Sequence, residues 1–155
     1  MRLKERIPIF LELISGELVN IFDNIWKLNE YTDFDMFADF YNIEEIKEFW
    51  LKNPDLRFSQ VLINLKMLPN IPGFWYYLEE NDILEKLGKE PREYLLWGQN
   101  YDKDMNLLPE TIFKPIKNLN IGHIKAILKG DWCKNPTYYN CFINELKLRE
   151  NELGN

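Results

Sequence analysis

Small residues and several of the residues that commonly build enzyme sites are scarce in this chain. It has two Ala and two Val, together with three Thr, two Cys, one His and only two Ser, at Ser15 and Ser59. Because no Gly-x-Ser-x-Gly segment surrounds either serine, the elements of a serine hydrolase are missing. Three Cys and His residues are too few for an ordinary four-ligand zinc site, and no Cys-x-x-Cys occurs. The core must be built from Ile, Leu, Phe, Tyr and Trp.

Glycine-rich loops, clusters of basic residues and long apolar runs are also missing. The seven glycines are scattered singly, which excludes a phosphate-cradling loop. Proteins that bind nucleic acid directly carry clusters of Lys and Arg that contact phosphates, and the basic residues of this chain do not cluster, so we expect no direct nucleic-acid binding. No apolar run is long enough to span a bilayer, and the N-terminal residues do not predict a signal peptide. We therefore expect a cytoplasmic protein with no membrane partner, in which Cys133 and Cys141 are free buried thiols.

Two patterns hint at a metal or a catalytic group, and both have a simpler interpretation. Asp102, Asp104 and Asn106 are spaced as an EF-hand loop begins, but its sixth position is Leu107 and its twelfth is Phe113. We expect a hairpin loop there, with no metal and no cofactor. His123 is the only histidine; it would need a Cys or carboxylate within hydrogen-bond reach to act in catalysis, and a structural role is the simpler expectation.

The chain does have a concentration of negative charge in its first third. Residues 1–45 hold four basic and ten acidic side chains, whereas residues 46–155 hold 15 of each sign, so the net charge of −6 is local. A concentrated acidic field favours a basic partner and repels nucleic acid. The residues that we predict to contact a basic protein are Glu30, Asp33, Asp35, Asp39, Glu44 and Glu45.

The same stretch has a second interpretation, because rings alternate with its carboxylates. The rings fall at helical steps of three and four, so they could form the core face of a short helix whose carboxylates face water. The rings are Phe34, Phe37, Phe40 and Tyr41. Both interpretations can hold together, since the rings would anchor the helix while its carboxylates meet a partner.

The periodicity of apolar residues predicts a mostly helical chain. Helices are expected over 7–28 with a break at Gly16, and over 33–40, 43–51, 56–68, 79–87, 121–128 and from 136 to 148 or beyond. Expected caps and stops are Asn53 or Asp55, Gly88, Asn120, Gly130 and Asn135. Residues 94–97 and 111–113 read as strands of a β-hairpin. The predicted class is α+β, mostly α, as a bundle of about five to seven helices with one hairpin in a single domain, 1–155.

A polar stripe is expected on the helix that follows Pro54. Arg57, Gln60 and Asn64 fall at steps of three and four, so they share one helix face. They could bind a peptide or a small anion. Alternatively, Arg57 pairs with Asp55 or with a distant carboxylate, while Gln60 and Asn64 bond exposed backbone groups.

Two segments of the chain resemble small uncharacterised bacterial and prophage proteins. The first runs from Phe49-Trp50 through Pro54-Asp55-Leu56-Arg57 to Leu65 and is followed by 74–80; the second comprises 96–98, 116–119 and 123–128. The resemblance follows the pattern W-x-x-x-P-D-L-R-[FL]-x-Q-L-[IL]-x-N, and it implies that residues 16–45 are an acidic insertion. The resemblance implies no activity.

These observations favour a non-enzymatic protein that binds a basic partner such as a nuclease or a nucleic-acid-binding protein. Immunity proteins, antitoxins and anti-defence inhibitors of bacterial or phage origin act in this way, with carboxylates taking the place of phosphates. One alternative is a small enzyme with an unrecognised site around Arg57, Gln60 and His123. Another is a structural protein that self-associates through exposed Trp and Tyr; the sequence leaves the oligomeric state open.

Overall fold

The computed structural model of the chain describes residues 2–25, 43–67 and 78–153. These residues contain seven α-helices of four residues or more and one two-stranded antiparallel sheet, which confirms the predicted mostly helical α+β class. Contacts divide the chain into two compact units, 1–89 and 90–155. The single domain with an acidic insertion stays a prediction. The expected helix over 33–40 and the residues 68–77 lie outside the described residues.

The first unit contains four of the helices. They are α1 (Arg6–Leu13), α2 (Ile43–Lys52), α3 (Phe58–Asn64) and α4 (Glu80–Lys86), and a helical turn at Leu18–Asn20 runs into a π-helical turn at Ile21–Ile25. The predicted break after α1 is confirmed, because Gly16 has a φ of +82°. Glycine enters this left-handed region without the steric cost that a Cβ imposes. Gly88, with a φ of +78°, ends α4 in the same way, as predicted.

The start of α3 differs from the prediction. Neither Asn53 nor Asp55 caps it; the N-cap is Arg57, whose N–H donates to Gln60 Oε1 at 2.9 Å. The Asp55 carboxylate instead accepts the backbone N–H of Arg2 at 3.0 Å. The Asp55 carboxylate therefore forms a long-range hydrogen bond in place of the local helix cap that its position in the sequence predicts.

The end of α3 also comes earlier than residue 68. Lys66 adopts a left-handed φ of +60°, and the N–H of Met67 donates to the Leu62 carbonyl at 2.9 Å. This is a Schellman C-cap, in which the chain turns away while the last carbonyls of the helix stay bonded. The turn buries Met67, which is 5% exposed.

Three aromatic rings form the centre of the first unit. Phe10 of α1, Trp50 of α2 and Phe58 of α3 are each at most 1% exposed. Phe10 meets both partners edge to face, with ring centroids 5.6 Å from Trp50 and 4.9 Å from Phe58. Such pairs add about 0.5–1.5 kcal/mol beyond the area that they bury. These large aromatic side chains fill the core of a chain that contains few Ala and Val residues.

The second unit combines three helices with the hairpin. Its elements are α5 (Pro91–Tyr94), β1 (Leu96–Tyr101), β2 (Leu107–Pro115), a 3₁₀ turn (Ile116–Asn118), α6 (Ile121–Lys129) and α7 (Pro136–Leu153). The hairpin is confirmed, with Leu96 opposite Pro115 and Trp97 opposite Lys114. The first strand begins two residues later than predicted, because Pro91 starts a short helix that extends through Tyr94.

Side-chain caps confirm two predicted helix starts. Asn120 Oδ1 accepts the N–H of Gly122 at 2.7 Å at the start of α6, and Asn135 Oδ1 accepts the N–H of Thr137 at 2.9 Å at the start of α7. Each cap satisfies a backbone donor that the helix leaves unpaired. In the described part of the chain, α7 included, no helix has both the length and the apolar composition needed to cross a membrane.

The core of the second unit is formed by residues of α6, α7, the 3₁₀ turn and the segments that connect the elements. Leu95, Ile116, Leu119, Ile124, Ile127, Cys133, Cys141 and Phe142 are its buried members. Trp97 of β1 packs edge to face against Phe142 of α7, with ring centroids 5.1 Å apart. Both cysteines are free and buried, as predicted.

Candidate functional site

The net charge of the chain belongs to the first unit. Residues 1–89 hold 16 acidic and ten basic side chains, whereas residues 90–155 hold nine of each. The excess negative charge of the chain therefore lies in the first unit. The question is which of its carboxylates face outward and which are neutralised inside the fold.

Five side chains of the first unit form what we call the arginine–glutamate cluster: Arg2, Arg6, Arg57, Glu79 and Glu80. Arg2 binds Glu79 through both terminal nitrogens, and its Nη2 donates to Oε1 at 2.8 Å. Arg57 Nε donates to the same Oε1 at 2.9 Å. Arg6 Nε donates to Glu80 Oε1 at 2.7 Å. The cluster ties the N-terminal segment to the starts of α3 and α4.

The cluster changes where the excess charge of the unit resides. It contains all three arginines of residues 1–89 but only two of the acidic residues, so it carries a charge of +1. The remainder of the unit therefore carries −7, with lysines as its only basic side chains. Internal pairing of the arginines leaves the rest of the unit more acidic than the whole.

The two guanidinium groups hold Glu79 ionised. Hydrogen bonding to Arg2, assisted by Arg57, lowers the pKa of the Glu79 carboxyl from 4.5 to about 2, against the opposing effect of burial. The same contact raises the pKa of Arg2. A carboxyl whose pKa is lower in the folded state stabilises the fold above its unfolded pKa.

The first unit should consequently lose stability in acid through Glu79. The contribution of Glu79 is complete above about pH 5 and falls as the pH drops from about 4.5 towards 2. Because the side chain is 39% exposed and solvent screens the pair, we expect Glu79→Gln to cost only about 1 kcal/mol at pH 7. Urea unfolding at pH 7 and at pH 3 would measure this, with a smaller native–variant difference at pH 3. Glu85→Gln, at an exposed position of α4, is the control; an equal effect there would contradict the assignment.

Glu80 connects the cluster to the aromatic core. The residue is 4% exposed, and its Oε2 accepts no hydrogen bond from the residues that the structure describes, although Arg2 Nη1 lies 3.9 Å away. Arg6, which binds its other oxygen, also lies over the Trp50 ring with its guanidinium carbon 5.3 Å from the centroid. Arg6 Nη2 and Trp50 Nε1 both donate to the Leu56 carbonyl, at 2.9 and 2.8 Å. The cluster is thus part of the packing that orders the unit.

The predicted polar face on α3 takes part in these internal contacts. Arg57 binds Glu79, a distant carboxylate, as the second interpretation of this face expected. Gln60 bonds the backbone N–H of Arg57, and Asn64 Nδ2 donates to the Gln60 carbonyl at 2.8 Å. All three therefore have structural partners. Ligand binding by this face stays a prediction.

Only part of the predicted acidic surface is described. Glu30, Asp33, Asp35 and Asp39 lie outside the described residues. Glu44 and Glu45 lie in the first turn of α2 and are exposed, where the positive end of the helix dipole favours carboxylates. Glu48, one turn further on, is also exposed, while Ile46 and Trp50 face the core. The exposed carboxylates of α2 are therefore Glu44, Glu45 and Glu48, of which Glu48 pairs with Lys52 at 3.3 Å.

A second charged group lies buried in the other unit. The Glu145 side chain is 0% exposed and receives Arg92 Nε at 2.5 Å and Arg92 Nη2 at 3.0 Å, a bidentate pair. Arg149 Nε donates to the same carboxylate at 2.8 Å. Hydrogen bonding to both arginines lowers the pKa of Glu145, with Arg92 contributing most. Arg149 also donates to the carbonyls of Ile116, Lys117 and Leu119, so the group holds the 3₁₀ turn against α7.

The candidate catalytic residues of the second unit lie in environments that suit packing. Burial lowers the pKa of His123, assisted by the nearby Lys114 charge. Burial raises the pKa of the Cys141 thiol to about 11, which disfavours the thiolate that nucleophilic chemistry needs. Among the described residues, His123 makes no hydrogen bond to Cys133, Cys141 or a carboxylate. Arg57 and Gln60 lie in the other unit, and the enzyme alternative stays a prediction.

Asp102 organises the turn of the hairpin. Its Oδ1 accepts the backbone N–H groups of Asp104 and Asn106, both at 2.9 Å, and these bonds lower the pKa of the Asp102 carboxyl. This is an Asx-type turn, in which a side chain takes the place of a backbone acceptor. The predicted hairpin loop is confirmed. Over the described ranges, no group of three or more His, Cys, Asp and Glu side chains is placed to hold a metal ion.

Comparisons with protein-family models, with curated proteins and with solved structures found no match to this chain. The likeness to uncharacterised bacterial and prophage proteins therefore stays a prediction.

Sequence reasoning missed the two charged groups, although their members were visible. Arg2 and Glu79 are 77 residues apart, Arg6 and Glu80 are 74 apart, and Arg92 and Glu145 are 53 apart. A weak signal for the last pair exists, since Glu145 lies one turn after the apolar residues Cys141 and Phe142 on the same helix face. No local pattern identifies which arginine would reach it.

Proposed function

We propose that this chain is a non-enzymatic binding protein that docks an acidic surface of its first unit onto a basic protein, such as a nuclease or a nucleic-acid-binding protein. It would act in the cytoplasm of a bacterium, as an immunity, antitoxin or anti-defence inhibitor does. The observation that supports this function best is the segregation of charge: residues 1–89 carry −6, and their arginines are engaged internally.

The residues of this proposal are Glu30, Asp33, Asp35 and Asp39, which precede α2 in the sequence, and Glu44 and Glu45 in the exposed first turn of α2. A concentration of carboxylates produces a negative electrostatic potential, which attracts a basic partner and speeds its association. Because the first turn of α2 is anchored by buried Ile46 and Trp50, the carboxylates beside it are presented on a rigid element. Rigid presentation lowers the entropy lost on binding.

The test compares two triple variants of equal charge change. One carries Asp33→Asn, Asp35→Asn and Asp39→Asn in the acidic stretch; the matched control carries Asp104→Asn, Glu110→Gln and Glu150→Gln at exposed positions of the second unit. Partners retained by the tagged native chain from bacterial lysate would be identified by mass spectrometry, purified and titrated at several salt concentrations. We expect a basic partner whose affinity falls about tenfold or more in the first variant, with a weaker salt dependence.

The control should bind as the native chain does. Equal losses in both variants would show a general effect of net charge and would contradict a defined surface. An unchanged affinity in the acidic-stretch variant would overturn the proposal, as would a partner that carries no basic surface.

A further inference from the structure

The second unit, although neutral overall, carries a locally basic surface of its own. Between residues 111 and 144 there are five lysines and a single acidic residue, Asp131. Four of the lysines, Lys117, Lys125, Lys129 and Lys134, are exposed. The prediction that the chain does not bind nucleic acid directly rests on the absence of a cluster of basic residues along the sequence, whereas residues 111–144 have a charge of +4.

Helix α6 presents two of these lysines on its exposed face. Its exposed positions are Gly122, Lys125, Ala126 and Lys129, which recur at steps of three and four and share one side of the helix. Ile124 and Ile127 on the opposite side are buried in the core. Because Gly122 and Ala126 have little or no side chain, a ligand can approach the helix closely between the two lysines.

A tryptophan follows α6 directly and is held against the end of the helix by an unusual turn. Trp132 is 73% exposed, and a Cβ added at Gly130 would lie 2.0 Å from its Nε1, so the indole rests directly on Gly130. Asp131 between them has a left-handed φ of +55°, a conformation that costs a non-glycine residue energy. The N–H of Trp132 donates to the Ile127 carbonyl at 3.3 Å, which anchors the turn to α6.

We propose that Lys125, Lys129, Lys134 and Trp132 bind single-stranded nucleic acid, with the lysines on phosphates and the indole stacked on a base. A nucleic-acid strand supplies negative charge together with flat rings, which is what this combination recognises. An acidic peptide supplies the charge without the rings. An anionic membrane would favour further apolar side chains beside the indole, but the exposed neighbours of Trp132 are glycine, aspartate and lysine.

Salt limits the distance over which charges act on this contact. Interactions between exposed charges fade beyond a Debye length of about 10 Å at 0.1 M salt, so a strand on α6 responds mainly to the charges beside it. The contact is independent of the proposed inhibitor function, because it uses a different unit and a surface of opposite charge.

The test measures the fluorescence anisotropy of a labelled oligothymidylate of about 20 nucleotides with the full chain. We expect a dissociation constant of about 1–100 μM in about 50 mM salt and roughly 20-fold weaker binding in about 200 mM salt, as three phosphate contacts predict. Trp132→Ala should weaken binding about tenfold through lost stacking, and Trp132→Phe should restore part of it. Lys125→Gln with Lys129→Gln should reduce the salt dependence to about a third.

The matched control is Lys103→Gln with Lys147→Gln, which removes two exposed lysines from the hairpin turn and from α7 of the same unit. Circular dichroism would confirm that each variant is folded. No binding by the native chain, or equal losses in the two lysine pairs, would overturn the proposal. It would also be overturned if Trp132→Ala left oligonucleotide binding unchanged, or if anionic phosphatidylserine vesicles or polyglutamate bound in preference to the oligonucleotide.

Discussion

Replacing Glu145 by Gln is expected to destabilise the second unit by about 3 kcal/mol. The carboxylate is fully buried and receives Arg92 in a bidentate pair and Arg149 through Nε. Removing one member of a buried ion pair typically costs about 3–5 kcal/mol because the remaining charges lose their compensation. The lower end applies here, since Arg92 is 32% exposed and water can partly solvate it.

Urea unfolding followed by circular dichroism would measure this loss, which for a unit of this size corresponds to a fall in Tm of more than about 10 °C. Glu150→Gln is the matched control, because Glu150 lies on the same helix but is exposed, and it should change stability by less than about 0.5 kcal/mol. If the two variants were equally stable, the structural role of the Glu145 group would be wrong. The loss should also shrink in acid, because the lowered pKa of Glu145 stabilises the fold only above the unfolded pKa.

Trp50→Ala is expected to cost the first unit about 4 kcal/mol. Trp50 is 0% exposed and packs against Phe10 and Phe58, and truncation of a buried aromatic side chain leaves a cavity that the neighbours fill only in part. Its Nε1 hydrogen bond to Leu56 would be lost as well, although Arg6 still donates to that carbonyl. The Arg6 guanidinium would also lose the ring beneath it, which loosens the arginine–glutamate cluster.

The exposed Trp132 provides the internal control for this measurement. Trp132→Ala removes the same side chain from a position that is 73% exposed and should change stability by less than about 0.5 kcal/mol. Trp50→Phe should reduce stability by an intermediate amount, about 1–2 kcal/mol, because most of the ring packing is kept. Thermal and urea unfolding of the three variants would establish the order; similar losses for Trp50→Ala and Trp132→Ala would contradict the packing described above.

Sequence patterns predicted the features that depend on near neighbours. The caps at Asn120 and Asn135 and the helix stops at Gly16 and Gly88 are confirmed. These features could be predicted because each involves groups within a few residues of one another. The hairpin is confirmed for the same reason, since the Asp102 turn is closed by bonds two and four residues along the chain.

The predictions that were wrong failed where a distant partner competed with a local one. Asp55 was expected to cap α3 but accepts a hydrogen bond from Arg2, 53 residues away. Arg57 binds Glu79, as one of the two interpretations of the α3 face expected, but no local pattern identified which carboxylate it would reach. In both cases folding formed a charge-assisted contact that no local pattern specifies.

Composition and order of residues along the chain specify where its charge lies, which segments are helical and how most of these helices begin and end. They do so because charge adds along the chain and caps act within one turn. Packing decides which charges are paired inside the fold: it brings Arg2, Arg6 and Arg57 to Glu79 and Glu80, and it brings Arg92 to the buried Glu145. These ion pairs join residues that are 22 to 77 positions apart, and no periodicity in the chain encodes such pairs.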